Sequence, residues 1–372
     1  MKKIKIKELG KIISGGTPST ANENFWDGEL IWITPKDLSK NKSKYIFNGE
    51  RNITQDGLEH SSAKLLPVNS VLLSSRAPIG YLAIAGCELT TNQGFKSIIC
   101  DESIVLPEYL YYSLSTKIAD LISISYGSTF LELSKSSFEN FELSIHSIQE
   151  QQHIVDTIGS IDDLIENNNN ILLKLESLLI KEYEKSINLN STEYKLKEIL
   201  HVIDNRGKTP KTTNNKSLHP IIEVAQIANS SMWIDTNACL KFVDDITYNS
   251  FFRNGHLKEN DVLISTVGTI GVAGFNFIDG LSIAQNVVAL RSEYSYLIYC
   301  YLILNKEMII NLDIGGVQPS IKLPHLLEQY ILIPNDYNKE YYNKMFETIK
   351  NINLKNNELK SLKQTYLKKF FG

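Results

Sequence analysis

Two stretches of this sequence gather side chains suited to holding an anion. Lys36, Lys40, Lys42 and Lys44 lie close together, and Arg206, Lys208, Lys211 and Lys216 fall in a run, 205–217, that contains no acidic residue. Lysine and arginine neutralise phosphate, and the backbone amides of tight turns add neutral donors. Each stretch has such a turn nearby: SGGTPST at 14–20, with Gly16 and Thr17, and NRGKTPKTT at 205–213, with Thr209. Further polar candidates are Arg76, Asn92 and Gln93 in the first half of the chain and Gln226, Gln285 and Gln318 in the second. Asn and Gln can bond an adenine edge through two parallel hydrogen bonds, and Arg can do the same with guanine. The plain alternative for each residue is a turn or a solvated surface. The formal net charge of −4 confines any basic face to local patches.

Bond-making chemistry has no comparable residues. There is no G-x-x-x-x-G-K-[ST] loop, no H-E-x-x-H, no G-x-S-x-G turn and no glycine fingerprint for a dinucleotide. The four cysteines, Cys87, Cys100, Cys239 and Cys300, are widely spaced, as expected of a reducing cytoplasm without zinc or disulfides. Asp162-Asp163 reads as the solvated face of a helix. The most apolar run, YLIYCYLIL at 296–304, is too short to span a bilayer and is expected to be a buried helix, as is YLYYSL at 109–114. A binding protein without cofactor or metal is the expectation.

The elements that carry the polar candidates occur twice. NSVLLSSRAPIGYLAI at 69–84 matches NDVLISTVGTIGVAGF at 260–275, an offset of 191 residues. KIKEL at 5–9 matches KLKEI at 195–199, Thr17-Pro18 matches Thr209-Pro210, and Gln93 matches Gln285. A repeat of half the chain signals domain duplication, and a pseudo-dimer suits a target with two halves. Within each copy, short β-rich segments precede an apolar helix and a last strand, FELSI at 141–145 or YILIP at 330–334, which predicts an α+β domain.

A long helix is predicted after each last strand. In the first, Ile154, Ile158, Ile161, Ile165, Asn168, Leu172, Leu175 and Leu179 recur at alternating steps of 4 and 3, a heptad seam. An offset of 187 places the second seam at Tyr341, Met345, Thr348, Ile352, Lys355, Leu359, Leu362 and Tyr366. This register predicts that Asn168 and Lys355 face each other at the centre of an antiparallel pair.

With these parts in this order, the chain resembles the DNA-specificity subunit of Type I restriction–modification systems. The resemblance rests on ISGGTPST (13–20), IWITPKDL (31–38), VLLSSRAPIG (71–80), TTNQGF (90–95) and IQEQQHIVDTIGSIDDLI (148–165), and it extends over essentially the whole chain. The second copy departs at Val267-Gly268-Thr269, where the first has Arg76-Ala77-Pro78. The resemblance implies two target-recognition domains, 1–147 and 188–336, separated by long antiparallel helices, 148–187 and 337–372, that form a coiled coil with pseudo-two-fold symmetry. It further implies a bipartite, asymmetric double-stranded DNA site and two docked methyltransferase subunits that use S-adenosylmethionine on adenine N6. Restriction subunits using ATP and Mg would complete a cytoplasmic complex, with this chain catalysing nothing. Two other readings are a fragment of a fused restriction–methylation enzyme and a protein-interaction scaffold without DNA. The missing catalytic motifs oppose the first, and two full repeats closing on TYLKKFFG are expected of a whole chain.

Overall fold

The computed structural model describes residues 1–372 except 77, 128–130, 206, 208, 217, 229–231, 253 and 317. The chain divides into two compact units. One comprises Met1–Asn167 with Asn357–Gly372, the other Asn168–Asn356.

The first unit holds three sheets. The largest runs in the order Gly10–Ser14, Lys96–Cys100, Val71–Ser75, Ile79–Ala85, Tyr45–Ile46. A second has Trp26–Ile33 between Arg51–Ile53 and Thr90–Thr91, and a third pairs Lys2–Lys5 with Glu142–Ile145. The second unit repeats the plan. Its main sheet is His201–Ile203, Val287–Arg291, Val262–Ser265, Ala273–Phe275, and its smaller ones set His219–Ile222 between Phe242–Val243 and Ser282–Ile283, and Ser191–Lys195 against Tyr330–Pro334. In both units the short strand of the middle sheet pairs parallel with its neighbour, Trp32 opposite Thr90 and Ile221 opposite Ser282. The local turns repeat as well. Asn69 (φ 68°) and Asn260 (φ 73°) both take the left-handed conformation just before the central strand, a backbone state that asparagine tolerates better than other residues with a Cβ.

Each central strand is buried along its whole length, Val71–Ser75 and Val262–Ser265 alike. A short apolar helix covers it in each unit. Tyr109, Leu110, Tyr112 and Leu114 are buried in Pro107–Ser115, and Leu297 to Leu302 are buried in Ser295–Leu304. These are the two apolar runs of the sequence. Among the described residues, no helix is long and apolar enough to cross a membrane.

The first long helix spans Ile148–Ile187 and the second Lys339–Phe371. Ile154, Ile158, Ile161, Leu172 and Leu179 are buried, while Ile165, Asn168 and Leu175 are half-buried. In the second helix the seam differs from the expectation by one residue. Lys355, Thr348 and Leu362 are exposed, and Tyr341, Met345, Ile352, Leu359 and Tyr366 are only half-buried. The buried positions are instead Tyr342, Phe346, Ile349, Asn356, Leu367 and Phe371. They sit 188 residues beyond Ile154, Ile158, Ile161, Asn168, Leu179 and Tyr183. The rival stripe is apolar enough to imitate a seam, and the buried stripe carries the buried Asn356 with the half-buried Asn353 and Lys363.

The helix segments run antiparallel within each unit. In the first, Asp162 meets Lys363 (2.6 Å) and His153 lies against Phe370. In the second, Asn168 meets Asn356 and Tyr183 lies beside Tyr342. The polar layer is therefore Asn168 with Asn356, not Lys355. Asn168 Nδ2 donates to Asn356 Oδ1 (2.8 Å), and Asn356 Nδ2 donates to Asn169 Oδ1 (3.0 Å). Asp162 is also not solvated. It accepts from the Tyr112 hydroxyl (2.7 Å) as well as from Lys363, with 16% of its side chain exposed.

Candidate nucleic-acid interface

The glycine pair before Thr17 is set by packing. Gly16 N–H donates to Thr91 O (2.9 Å), its carbonyl accepts from Trp32 Nε1 (2.9 Å), and a Cβ there would lie 2.2 Å from Ala63 N. No residue but glycine fits so close to backbone. This pins the turn at 14–20 against the turn at 91–94. Asn92 shapes the latter: its Oδ1 accepts from Gly94 N–H (2.9 Å), and its own N–H donates to Ile33 O (3.0 Å). The result is that two exposed residues meet, the Thr17 hydroxyl donating to Gln93 Oε1.

The second unit reproduces this juxtaposition. Thr209 Oγ1 lies 3.5 Å from Gln285 Oε1, and both residues are exposed. Strands and turns bring the partners together across 76 residues in each unit. The supporting backbone repeats too: Ser75 N–H donates to Gly94 O (2.7 Å) and Thr266 N–H to Asn286 O (2.9 Å).

The other candidates scatter. Lys36 and Lys40 are exposed, and both face Glu50, at 2.9 and 3.7 Å. The hydrogen bond from Lys36, then its charge, hold the Glu50 carboxyl below its usual range. Lys42 is exposed. Lys44 is not available to a ligand. Only 9% of its side chain is exposed, it pairs with Glu108 at 2.6 Å, and its ammonium lies over the rings of Tyr45 and Tyr112. The first basic loop thus presents fewer free charges than its sequence suggests, because the nearby Glu50 and the distant Glu108 fold against it. Arg76 is half-buried and bridges to Glu132 through the backbone. Close by is Lys96, which the sequence reading did not single out; burial lowers its pKa, with Glu132 opposing the shift and Arg76 adding to it. The signal for it was a lysine opening an otherwise uncharged strand, KSIIC.

Gln226 is a structural residue rather than a reader. It is 4% exposed, its Oε1 accepts from Glu223 N–H (2.9 Å), and its Nε2 donates to Ala238 O (3.0 Å). Both ends of the amide are consumed at the start of a short helix. Lys211 is exposed, with Asp244 within reach of its charge. Gln318 is exposed and lies over the turn at Gly268, whose missing Cβ would sit 3.2 Å from Gln318 Nε2. Arg206 and Lys208 lie outside the described residues. Among the described residues, no three His, Cys, Asp or Glu side chains gather as metal ligands would.

What emerges in each unit is a surface that can donate hydrogen bonds, carried on turns at the edge of a rigid sheet. Comparison with known proteins agrees with the duplication. The Type I restriction modification DNA specificity domain matches the chain twice, over residues 1–177 and 188–364. The chain is 32% identical over 360 residues to the Type I restriction enzyme MjaIX specificity subunit of Methanocaldococcus jannaschii, covering 89% of this chain and 82% of that protein. It is 29% identical over 184 residues to the EcoR124I/EcoR124II specificity subunit of Escherichia coli, covering 48% of this chain and 45% of that one. Among solved structures, the S subunit of a Type I restriction–modification system from M. genitalium aligns over 100% of this chain and 96% of its own, with a TM-score of 0.54 at 17% identity, a likeness of fold.

Proposed function

This chain belongs to the Type I restriction–modification DNA specificity family, and from that premise we propose how its two units divide the work. The chain is a DNA sequence-specificity subunit without catalytic activity of its own; it binds DNA and assembles with other subunits of its complex. Each unit reads one half of a bipartite, asymmetric site on double-stranded DNA. The long helices dock two modification subunits, which bring S-adenosylmethionine and methylate adenine N6. Restriction subunits bring ATP and Mg to the same complex, in the cytoplasm.

The observation that carries this reading is one scaffold built twice with different surfaces. The strand order repeats, save for the extra edge strand Tyr45–Ile46 of the first unit, while the half-buried Arg76 and Asn92 of the first unit give way to Val267 and Ala284 in the second. A shared frame with diverged side chains suits two half-sites of unlike sequence, since base contacts specify whereas the frame only positions. The test is methylome sequencing of cells in which residues 1–147 are exchanged for those of another specificity subunit. The expected result is a motif altered in one half only. A contiguous or perfectly palindromic motif, or a change in both halves, would overturn the division of labour.

A further inference from the structure

The Thr–Gln pair is the part of this surface that the two units share, and sharing limits what it can do. Thr17 with Gln93 and Thr209 with Gln285 are the same residues in equivalent turns, each pair brought together across 76 residues, hydrogen-bonded in the first unit and 3.5 Å apart in the second. Around them the chain diverges: the half-buried Arg76 and Asn92 correspond to Val267 and Ala284. A feature identical in both units cannot encode the difference between two half-sites. It can only meet something that both half-sites contain.

The hydrogen bond within the pair narrows this further. Gln93 Oε1 accepts from the Thr17 hydroxyl, and the two N–H donors on Nε2 of this exposed side chain have no partner among the described residues. Reading an adenine edge requires one amide to accept and donate side by side. An amide whose oxygen is already engaged is instead a fork of donors, the complement of a phosphate oxygen. Nor does the fold need these side chains. All four are exposed, and backbone contacts such as Gly16 N–H to Thr91 O hold the turn.

We propose that the Thr17–Gln93 and Thr209–Gln285 pairs each grip a backbone phosphate of the DNA, setting the position of their unit without reading sequence. The proposal rests on the DNA-binding function above. The pairs are sequence-neutral anchors, and the diverged positions around them carry the specificity.

The experiment uses the full chain assembled with its own modification subunits. Two duplexes serve as probes, one carrying the site mapped from the wild-type methylome and one of scrambled sequence. Gln93→Glu and Gln285→Glu retain an acceptor for the threonine hydroxyl but replace the amide donors with negative charge. Each is expected to weaken binding to both duplexes by roughly tenfold or more, as loss of a charge-assisted hydrogen bond does, while the methylated motif keeps the same bases in both halves. Gln93→Lys restores a donor and is expected to retain binding. A neutral pair releases no counterions of its own, so Gln93→Ala should weaken binding with the salt slope nearly unchanged. Altered bases in one half of the motif would make the pair a reader and overturn the proposal. Unchanged affinity in both glutamate variants would also overturn it. A wild-type complex that binds neither duplex would instead remove the DNA-binding premise.

Discussion

Asn356 sits in the buried stripe of the second long helix, and replacing it separates two registers that lie one residue apart. Its side chain is 3% exposed and makes two hydrogen bonds, from Asn168 Nδ2 at 2.8 Å and to Asn169 Oδ1 at 3.0 Å. Asn356→Ala removes both bonds, at about 1 kcal/mol each, and leaves a small cavity, for a total loss of about 2–3 kcal/mol. Asn356→Leu loses the same bonds but buries an apolar side chain worth about 1.5–3 kcal/mol, so its stability should fall within about 1 kcal/mol of wild type. Asn169 is exposed and Asn168 half-buried, so both can turn to water, which keeps the leucine variant inexpensive. Lys355→Ala, next door but exposed, should change stability by less than about 0.5 kcal/mol. Thermal unfolding of the full chain reads all three. For a unit of this size, each kcal/mol shifts the midpoint by about 2–4 °C, so Asn356→Ala should lower the transition of the second unit by roughly 4–12 °C. Combining it with Asn168→Ala should show coupling of about 0.5–1.5 kcal/mol. Strict additivity, or a larger loss from Lys355→Ala than from Asn356→Ala, would refute the register. A polar pair in a seam opposes shifted pairings as well as costing stability, so the leucine variant should also tolerate register shifts better.

Other outcomes follow from the same contacts. Asp162→Ala strands Lys363 and the Tyr112 hydroxyl in a largely buried place. It should cost about 2–4 kcal/mol in urea unfolding, much of it recovered when Lys363→Met is added. Lys211→Gln should reduce the salt slope of DNA binding by about 0.9, whereas Lys44→Met, which breaks the pair with Glu108, should lower thermal stability and leave that slope unchanged. Hydrogen bonds from Lys195 and Lys197 hold the Glu328 carboxyl down to about 2. Its contribution is therefore complete above the ordinary carboxylate range and fades as pH falls from about 4.5 toward 2. Acid unfolding of Glu328→Gln should show a shallower pH dependence in that window.

The duplication was legible because strand patterns and turn residues repeat in order, and the first seam was legible because isoleucine and leucine mark it almost without interruption. The second seam was not, for a physical reason. Its buried face holds Asn356 and Lys363, both satisfied by partners on the other helix, while Met345, Leu359 and Leu362 flank it on a neighbouring stripe. Hydrophobicity alone favours the wrong face there. Lys44 misled in the same way, since its partner Glu108 is 64 residues away in the chain. Gln226 and Gln285 are the same residue type, and only the backbone around each decides that one is buried and bonded at both ends while the other is exposed. The Thr–Gln pairs could be named as candidates from sequence, but their meeting depends on a turn closing against a strand far along the chain.

The first unit is discontinuous in the chain, and this bears on how the protein is made. Residues 357–372 belong to that unit, while Asn168–Asn356 form the other. Leu367 and Phe371 complete the core that contains Tyr109 and Ile158, with the Phe371 ring 5.2 Å from that of Tyr109. At about 5–20 residues per second, translation of the intervening segment occupies a ribosome for roughly 10–40 s. Throughout that time the N-terminal half waits with an uncovered apolar face, a natural client for chaperones. A late stop codon would correspondingly injure the half of the protein that was synthesised first.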